Sequence, residues 1–231
     1  MIRSCPDRAV SVCRSGPRVW SLGIALAGLV LGACATSEEA IQKSQGYYQE
    51  GIASLSGDRQ KAFVSFQKSV QLNPNNKEAH YGLGHVYAVQ GKLAQAESEF
   101  RTALKIDDAY SEAHTYLGQV LASQGKWEEA IQSYRAALSN PLYPTPDLAR
   151  FHLGRALAQQ GDLQEAAEVL EDARMANSPS VPPALTHLEL GRVYTKLGYT
   201  DRAREVLGKV KAMDKGGEYA AAATELLARI K

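Results

Sequence analysis

One spacing constrains this chain more than any other. Leu83, Gly84 and Tyr87, then Gly91, then Ala96, Phe100 and Ala103, return 34 residues later as Leu117, Gly118, Leu121, Gly125, Ala130, Tyr134 and Ala137. A self-similar unit of this length is one supersecondary element that cannot bury its apolar face alone and must stack on copies of itself. Gly91 and Gly125 break the helical pattern between two amphipathic runs, so each unit reads as a helix–turn–helix hairpin. Gly84 and Ala96 are expected where the two helices of a hairpin cross, because a larger side chain would push the backbones apart. Tyr87, Phe100 and Ala103 are expected to fill the layer between one hairpin and the next.

The pattern extends in both directions. Residues 44–76 carry Tyr47, Gly51, Ala62, Phe66, Ser69 and Pro74, with Gly51 to Ala62 one residue shorter than Gly84 to Ala96 and Asp58 placed as an N-cap. Residues 77–110 and 111–146 are the two regular units. Residues 147–183 carry Leu153, Gly154, Leu157, Gly161, Ala166, Leu170 and Ala173, and residues 184–215 carry Leu190, Gly191, Tyr194, Gly198, Ala203 and Leu207. The extra residues that lengthen the later units fall in NPLYPTP (140–146) and NSPSVPP (177–183), where prolines exclude helix and predict stiff joints. Residues 216–231 read as one helix with Glu218, Thr224, Glu225, Arg229 and Lys231 on a wet face, the cap that the end of a stack needs. The period, the small residues and the hairpin design resemble the tetratricopeptide repeat (TPR). The fold class expected is therefore all-α: a TPR solenoid of about five hairpins plus a C-terminal capping helix.

Ahead of the repeats, Arg3, Arg8, Arg14 and Arg18 precede a short apolar run, Val19 to Leu31. That run falls short of the roughly 20 residues a membrane-spanning helix needs, and the arrangement reads as a secretory signal over residues 1–33. It ends in LGAC, residues 31–34, which resembles the lipobox of bacterial lipoproteins. The resemblance implies lipidation of Cys34, cleavage before it, and a membrane anchor. The alternative is a plain short membrane anchor with an incidental cysteine. Cleavage would take four arginines and Asp7 with it, turning the formal charge from +1 to −2, and would also remove Cys5 and Cys13. Ala35, rather than aspartate, follows the cysteine, which by the enterobacterial sorting rule implies the outer membrane, with the chain on its periplasmic face. Residues 34–43 are expected to form the lipidated end and a tether of about six residues. It would reach the first helix, near Glu38 to Ala40, and span at most ~20 Å.

A lipobox, repeats close behind it, and an NPLYP-like joint before a Leu-Gly helix resemble the type IV pilus pilotin family (PilF/PilW/Tgl). The resemblance implies a scaffold, not an enzyme, that helps the pilus secretin insert and multimerise. The rival is a TPR lipoprotein of another envelope assembly or polysaccharide-export system. The near-neutral charge argues against a nucleic-acid partner. No nucleophile elbow, phosphate loop or zinc-protease motif is present, and no cofactor is implied. His80, His114 and His187 recur at one repeat position and read as packing residues rather than metal ligands.

In a TPR stack the first helices line the inner groove. By register, two residues per first helix point into it: Tyr48 and Ile52, Tyr81 and His85, Thr115 and Gln119, Phe151 and Arg155, Leu188 and Arg192. The first of each pair is mostly apolar; the second turns from apolar to basic along the array. Such a face suits an amphipathic segment of a secretin subunit or other envelope protein, with acidic groups toward the C-terminal end. The competing reading is that the apolar members pack against neighbouring first helices. The lipobox generates a direct test: Cys34→Ala should abolish metabolic labelling by a fatty-acid analogue, and equal labelling of both proteins would reject the lipoprotein reading.

Overall fold

The computed structural model describes residues 20–230, with side chains from Ser37 onward. The basic stretch holding Arg3 to Arg18 lies outside the described residues, as do the side chains of the LGAC motif and, at the other end, Lys231. Eleven helices and no strands occur among the described residues: α1 (Trp20–Ser54), α2 (Arg59–Leu72), α3 (Lys77–Val89), α4 (Leu93–Ile106), α5 (Ser111–Ser123), α6 (Trp127–Leu138), α7 (Pro146–Gln160), α8 (Leu163–Arg174), α9 (Pro183–Leu197), α10 (Thr200–Met213) and α11 (Glu218–Arg229). The chain divides into two units, 1–42 and 43–231. In the first, the helix already runs from Trp20, so residues 34–43 are not an extended tether. No proline interrupts residues 20–54, and a helix rises only ~1.5 Å per residue. Among the described residues no helix is long and apolar enough to cross a membrane.

The second unit is a run of antiparallel hairpins, each packed on the next. Its core repeats one contact. A Cβ added to Gly51 would meet the Phe66 ring at 2.5 Å, to Gly84 the Phe100 ring at 2.8 Å, and to Gly118 the Tyr134 ring at 2.5 Å. In the last two hairpins Gly154 and Gly191 lie as closely against Leu170 and Leu207, at 2.6 and 2.5 Å. Phe100 therefore does not belong only to the layer between hairpins. Fully buried, it closes the crossing within its own hairpin and also stacks toward Tyr116 of the next, ring centroids 6.2 Å apart. Tyr87 does bridge hairpins, meeting Phe63 edge-on at 5.4 Å.

A second recurrent contact ties each hairpin to the joint that follows it. The residue seven before each crossing glycine reaches that joint. Asn76 donates to Ser44 Oγ at 3.0 Å, Lys77 pairs with Asp107, Asn140 donates to Ser111 Oγ at 3.0 Å, and the Ser180 hydroxyl donates to Asp147 at 3.2 Å. The fifth member, Ala184, packs with Leu207, Val210 and Ala223 instead. The proline-rich joints are thus built into the core. Tyr143 and Val181 are buried there, and the Tyr143 hydroxyl lies 2.9 Å from Thr115 Oγ1. The last proline of each joint, Pro146 and Pro183, is already the first residue of a helix, where its missing N–H costs nothing.

The one-residue deletion in the first hairpin is absorbed at Ser54–Asp58, and the Asp58 carboxylate accepts from Lys61 N at 2.9 Å as the cap of α2. At the other end Gly216 and Gly217 turn the chain, and Asp214 accepts from the N–H groups of Tyr219 and Ala220, capping α11. Glu218, Thr224, Glu225 and Arg229 are exposed on it.

The crossing contact yields a prediction. Gly118→Leu would have to displace Tyr134, a side chain 1 % exposed whose ring would lie 2.5 Å from the added Cβ. Such overpacking typically costs ~1–3 kcal/mol, so a urea melt should show a clear fall in midpoint. An unchanged melt would show that the helices do not cross there.

Candidate functional site

The face carried by the first helices of the hairpins is set by where each register position points. Two positions one helical turn apart, one and five residues after the crossing glycine, share a stripe. The first is occupied by Ile52, His85, Gln119, Arg155 and Arg192; the second by Val89, Ser123, Gln159 and Lys196, the first hairpin having already turned out of its helix there. In the C-terminal half this stripe lines two clefts that share Arg155 and Gln159. One, of about 250 Å³, lies among Gln119, Ser123, Trp127, Tyr134 and His152. The other, of about 340 Å³, lies among Glu189, Arg192, Val193, Lys196 and Leu226, so the capping helix α11 forms one of its walls.

The position three before the glycine behaves differently. Thr115, Phe151 and Leu188 are at most 2 % exposed and present nothing to a partner. Thr115 bonds the Ser111 carbonyl and Tyr143, Phe151 lies in the main core, and Leu188 packs with α10 and α11 residues. Tyr81 is half-buried, its ring 5.3 to 5.8 Å from those of Phe100, Tyr110 and Tyr116. Tyr48 is half-buried against Phe66. The expectation that this position anchors a partner is therefore corrected at Thr115, Phe151 and Leu188. Its apolar side chains are taken up by the rings and aliphatic groups of the helices around them, Tyr48 by Phe66, Tyr81 by Phe100 and Leu188 by Leu207 and Val210. The position one after the glycine does face outward: Ile52 is 39 % exposed and the Arg155 side chain 51 %. His85 is half-buried beside Tyr116, and its Nδ1 has no hydrogen-bond partner among the described residues.

Sequence reasoning also missed the residues five after the glycine, among them Val89, 51 % exposed, although their four-residue spacing from the outward position was a usable signal. Glu189 was missed as well. Its carboxylate lies 2.7 Å from Arg192 and 3.9 Å from Arg155, so the basic trend along the groove is partly neutralised from within. Toward the other end the carboxylates Glu78 and Glu112 lie near the aromatic cluster. With burial as the main cause, Glu112 helps push the Tyr81 phenol, and both carboxylates the Tyr110 phenol, well above their ordinary range. The groove thus runs from acidic and aromatic to basic.

The recurrent histidines serve the packing. His80 is bonded to Glu99 at 2.7 Å and to the Pro74 carbonyl at 3.0 Å, and His187 to the Pro183 carbonyl at 2.8 Å. Among the described residues no three histidine, cysteine or acidic side chains converge on one point.

Sequence profiles of the tetratricopeptide repeat match the chain at residues 56–111, 81–147 and 117–182, and a second profile of the same repeat matches 157–230. The chain belongs to the tetratricopeptide repeat family. Among solved structures it resembles the PilF protein of Pseudomonas aeruginosa, with 24% identity and a TM-score of 0.70 over 84% of this chain and 90% of that one. It also resembles PilW, a widely conserved type IV pilus biogenesis factor, with 25% identity and a TM-score of 0.67 over 80% and 91%. A third, YrrB, a TPR protein with an unusual peptide-binding site, gives 23% identity and a TM-score of 0.64 over 82% and 97%. No curated protein sequence matches the chain.

The floor of the smaller cleft carries a pH dependence. Burial, with Arg155 nearby, pushes the His152 imidazole from the ordinary 6.5 down to about 4, and its ring stacks on Tyr134 at 5.9 Å. The unfolded chain takes up this proton before the folded chain does. The stability that neutral His152 contributes is therefore complete above pH 6.5 and is lost as pH falls toward 4, by about 3 kcal/mol in all. His80 has the opposite sign. Burial alone would depress it, but its bonds to Glu99 and Pro74 outweigh that and raise it, so its contribution is present at low pH and fades as pH rises. His152→Phe should accordingly flatten the fall in urea midpoint between pH 6.5 and 4; an unaltered slope would assign the acid sensitivity elsewhere.

Proposed function

We propose that this chain is a lipid-anchored protein-binding scaffold, and specifically a pilotin that assists outer-membrane insertion and multimerisation of the type IV pilus secretin. The observation that carries this reading is a coincidence. A lipobox-like LGAC stands directly ahead of a TPR array that overlies nearly the whole of the PilF and PilW structures. Acylation at Cys34 would supply the anchor; one chain holds a protein only marginally, whereas two or more hold it firmly. The groove supplies the partner surface through Ile52, Val89, Gln119, Arg155 and Arg192. These stand on rigid helices, so little ordering entropy is lost when a segment docks. Helix-in-groove recognition by such a stripe selects an amphipathic segment, as an unassembled secretin subunit would present at the membrane.

The rival reading, a TPR scaffold of another envelope assembly, rests on the fold alone, which YrrB shares. The decisive experiment uses exposed residues, because truncating Phe151 would damage the core. Ile52→Asp with Val89→Asp should leave the helical circular-dichroism signal and membrane fractionation unchanged while abolishing secretin multimers and surface pili. Loss of an apolar anchor from an interface commonly costs 2 kcal/mol or more, about thirtyfold in affinity. Normal multimers with a stably expressed variant would reject the groove as the working surface.

A further inference from the structure

We infer that the cleft between α7, α9 and α11 is a carboxylate-binding subsite that takes an acidic side chain of the partner segment, with the capping helix as its outer wall. The inference deepens the reading of the groove as a protein-binding surface and rests on that part of it alone.

The first observation is a local excess of cations over carboxylates. Arg155, Arg192 and Lys196 line one cavity of about 340 Å³ with a single carboxylate among them, Glu189. Glu189 accepts one bond from Arg192 at 2.7 Å and stands 3.9 Å from Arg155 Nε, while Lys196 has no carboxylate partner among the described residues. Each guanidinium carries five N–H donors, so most of the donors in the cleft are left for a ligand. Glu189, its side chain only 15 % exposed, sits at the base and holds the two arginines together. The Arg155 guanidinium also rests over the Phe151 ring at 5.6 Å, which restricts it further.

The second observation is what accompanies the charge. Val193 and Leu226 give the cavity apolar walls, and Gln159 and Thr195 add neutral hydrogen-bonding groups. An inorganic anion has no use for such walls, whereas the methylenes of an aspartate or glutamate and its apolar neighbours do. The lining comes from the C-terminal halves of α7 and α9, where the helix dipole is negative and offsets part of the cationic charge. That balance favours a singly charged carboxylate over a phosphate dianion, and a guanidinium fork matches a carboxylate bidentately. Leu226 belongs to α11, so the last helix does more than cover the end of the core.

The probe is a fluorescein-labelled, C-terminally amidated hexapeptide of alternating glutamate and leucine, titrated by anisotropy against the full-length protein in detergent micelles. Its twin carries glutamine for glutamate. Saturable binding of the first and at least tenfold weaker binding of the second are expected. Arg155→Gln with Arg192→Gln should cost the acidic peptide about tenfold or more, and Leu226→Ala a smaller factor. Arg135→Gln, outside the cleft and with circular dichroism as the folding control, should change nothing. Equal binding of the two peptides, indifference to the double substitution, stronger competition by inorganic phosphate than by free glutarate, or no saturation at millimolar peptide would each overturn the subsite. Failure of the pilus reading looks different: the acidic peptide binds as described while cells carrying the Arg155→Gln, Arg192→Gln protein assemble normal secretin and pili.

Discussion

The structure of residues 43–231 depends on one steric constraint: the large side chain of each second helix lies directly on a glycine of the first. A glycine inside a helix costs about 1 kcal/mol relative to alanine. Burying a whole phenylalanine or leucine side chain returns ~1.5–3 kcal/mol. The exchange is favourable only if the helices approach closely enough to enclose the ring, so each crossing is either fully formed or of little worth. Phe66, Phe100, Tyr134, Leu170 and Leu207 are all at most 1 % exposed, which shows it formed five times. The change from aromatic to leucine at this point accompanies the two hairpins that begin with prolines, where the joint adds buried side chains of its own.

That constraint explains what could be read from the sequence. Only glycine fits under those side chains, so the crossings announced themselves by residue identity at a fixed spacing, and with them the fold class, the hairpins and the joints. The contact seven residues upstream of each glycine was invisible for the opposite reason. Serine with asparagine, lysine with aspartate and aspartate with serine all satisfy the same geometric need, so no identity recurs there. The start of α1 was misplaced because its boundary depends on the absence of a helix breaker between Trp20 and Ser54 rather than on any positive signal.

The groove shows a finer limit. Residues three before and one after the crossing glycine stand one turn apart on the same side of the helix, and what lies against each at its own level decides which one meets solvent. Repeat register alone cannot supply those neighbours; they are side chains of the adjoining helices and joints. Thr115 is drawn inward by Tyr143 from a joint that is itself an insertion, and Tyr81 by three surrounding rings. The outward position was legible at Arg155 and Arg192 because an arginine that ends in a core must find partners there, whereas a tyrosine or leucine is as content buried as exposed.

The polarity of the groove then follows from its construction. In the second and third hairpins the aromatic rings consume the apolar surface internally, leaving Glu78 and Glu112 beside them. In the fourth and fifth, arginines occupy the outward position, and Arg155 is shared by the two clefts. A segment that docks along this face meets carboxylates at one end and guanidinium groups at the other, so reversing its direction would set like charges against each other. Apolar contact along the stripe can supply affinity in either direction; the charge order permits only one. Charge order of this kind fixes the orientation of a bound segment and rejects wrong ones, which apolar contact alone does not do.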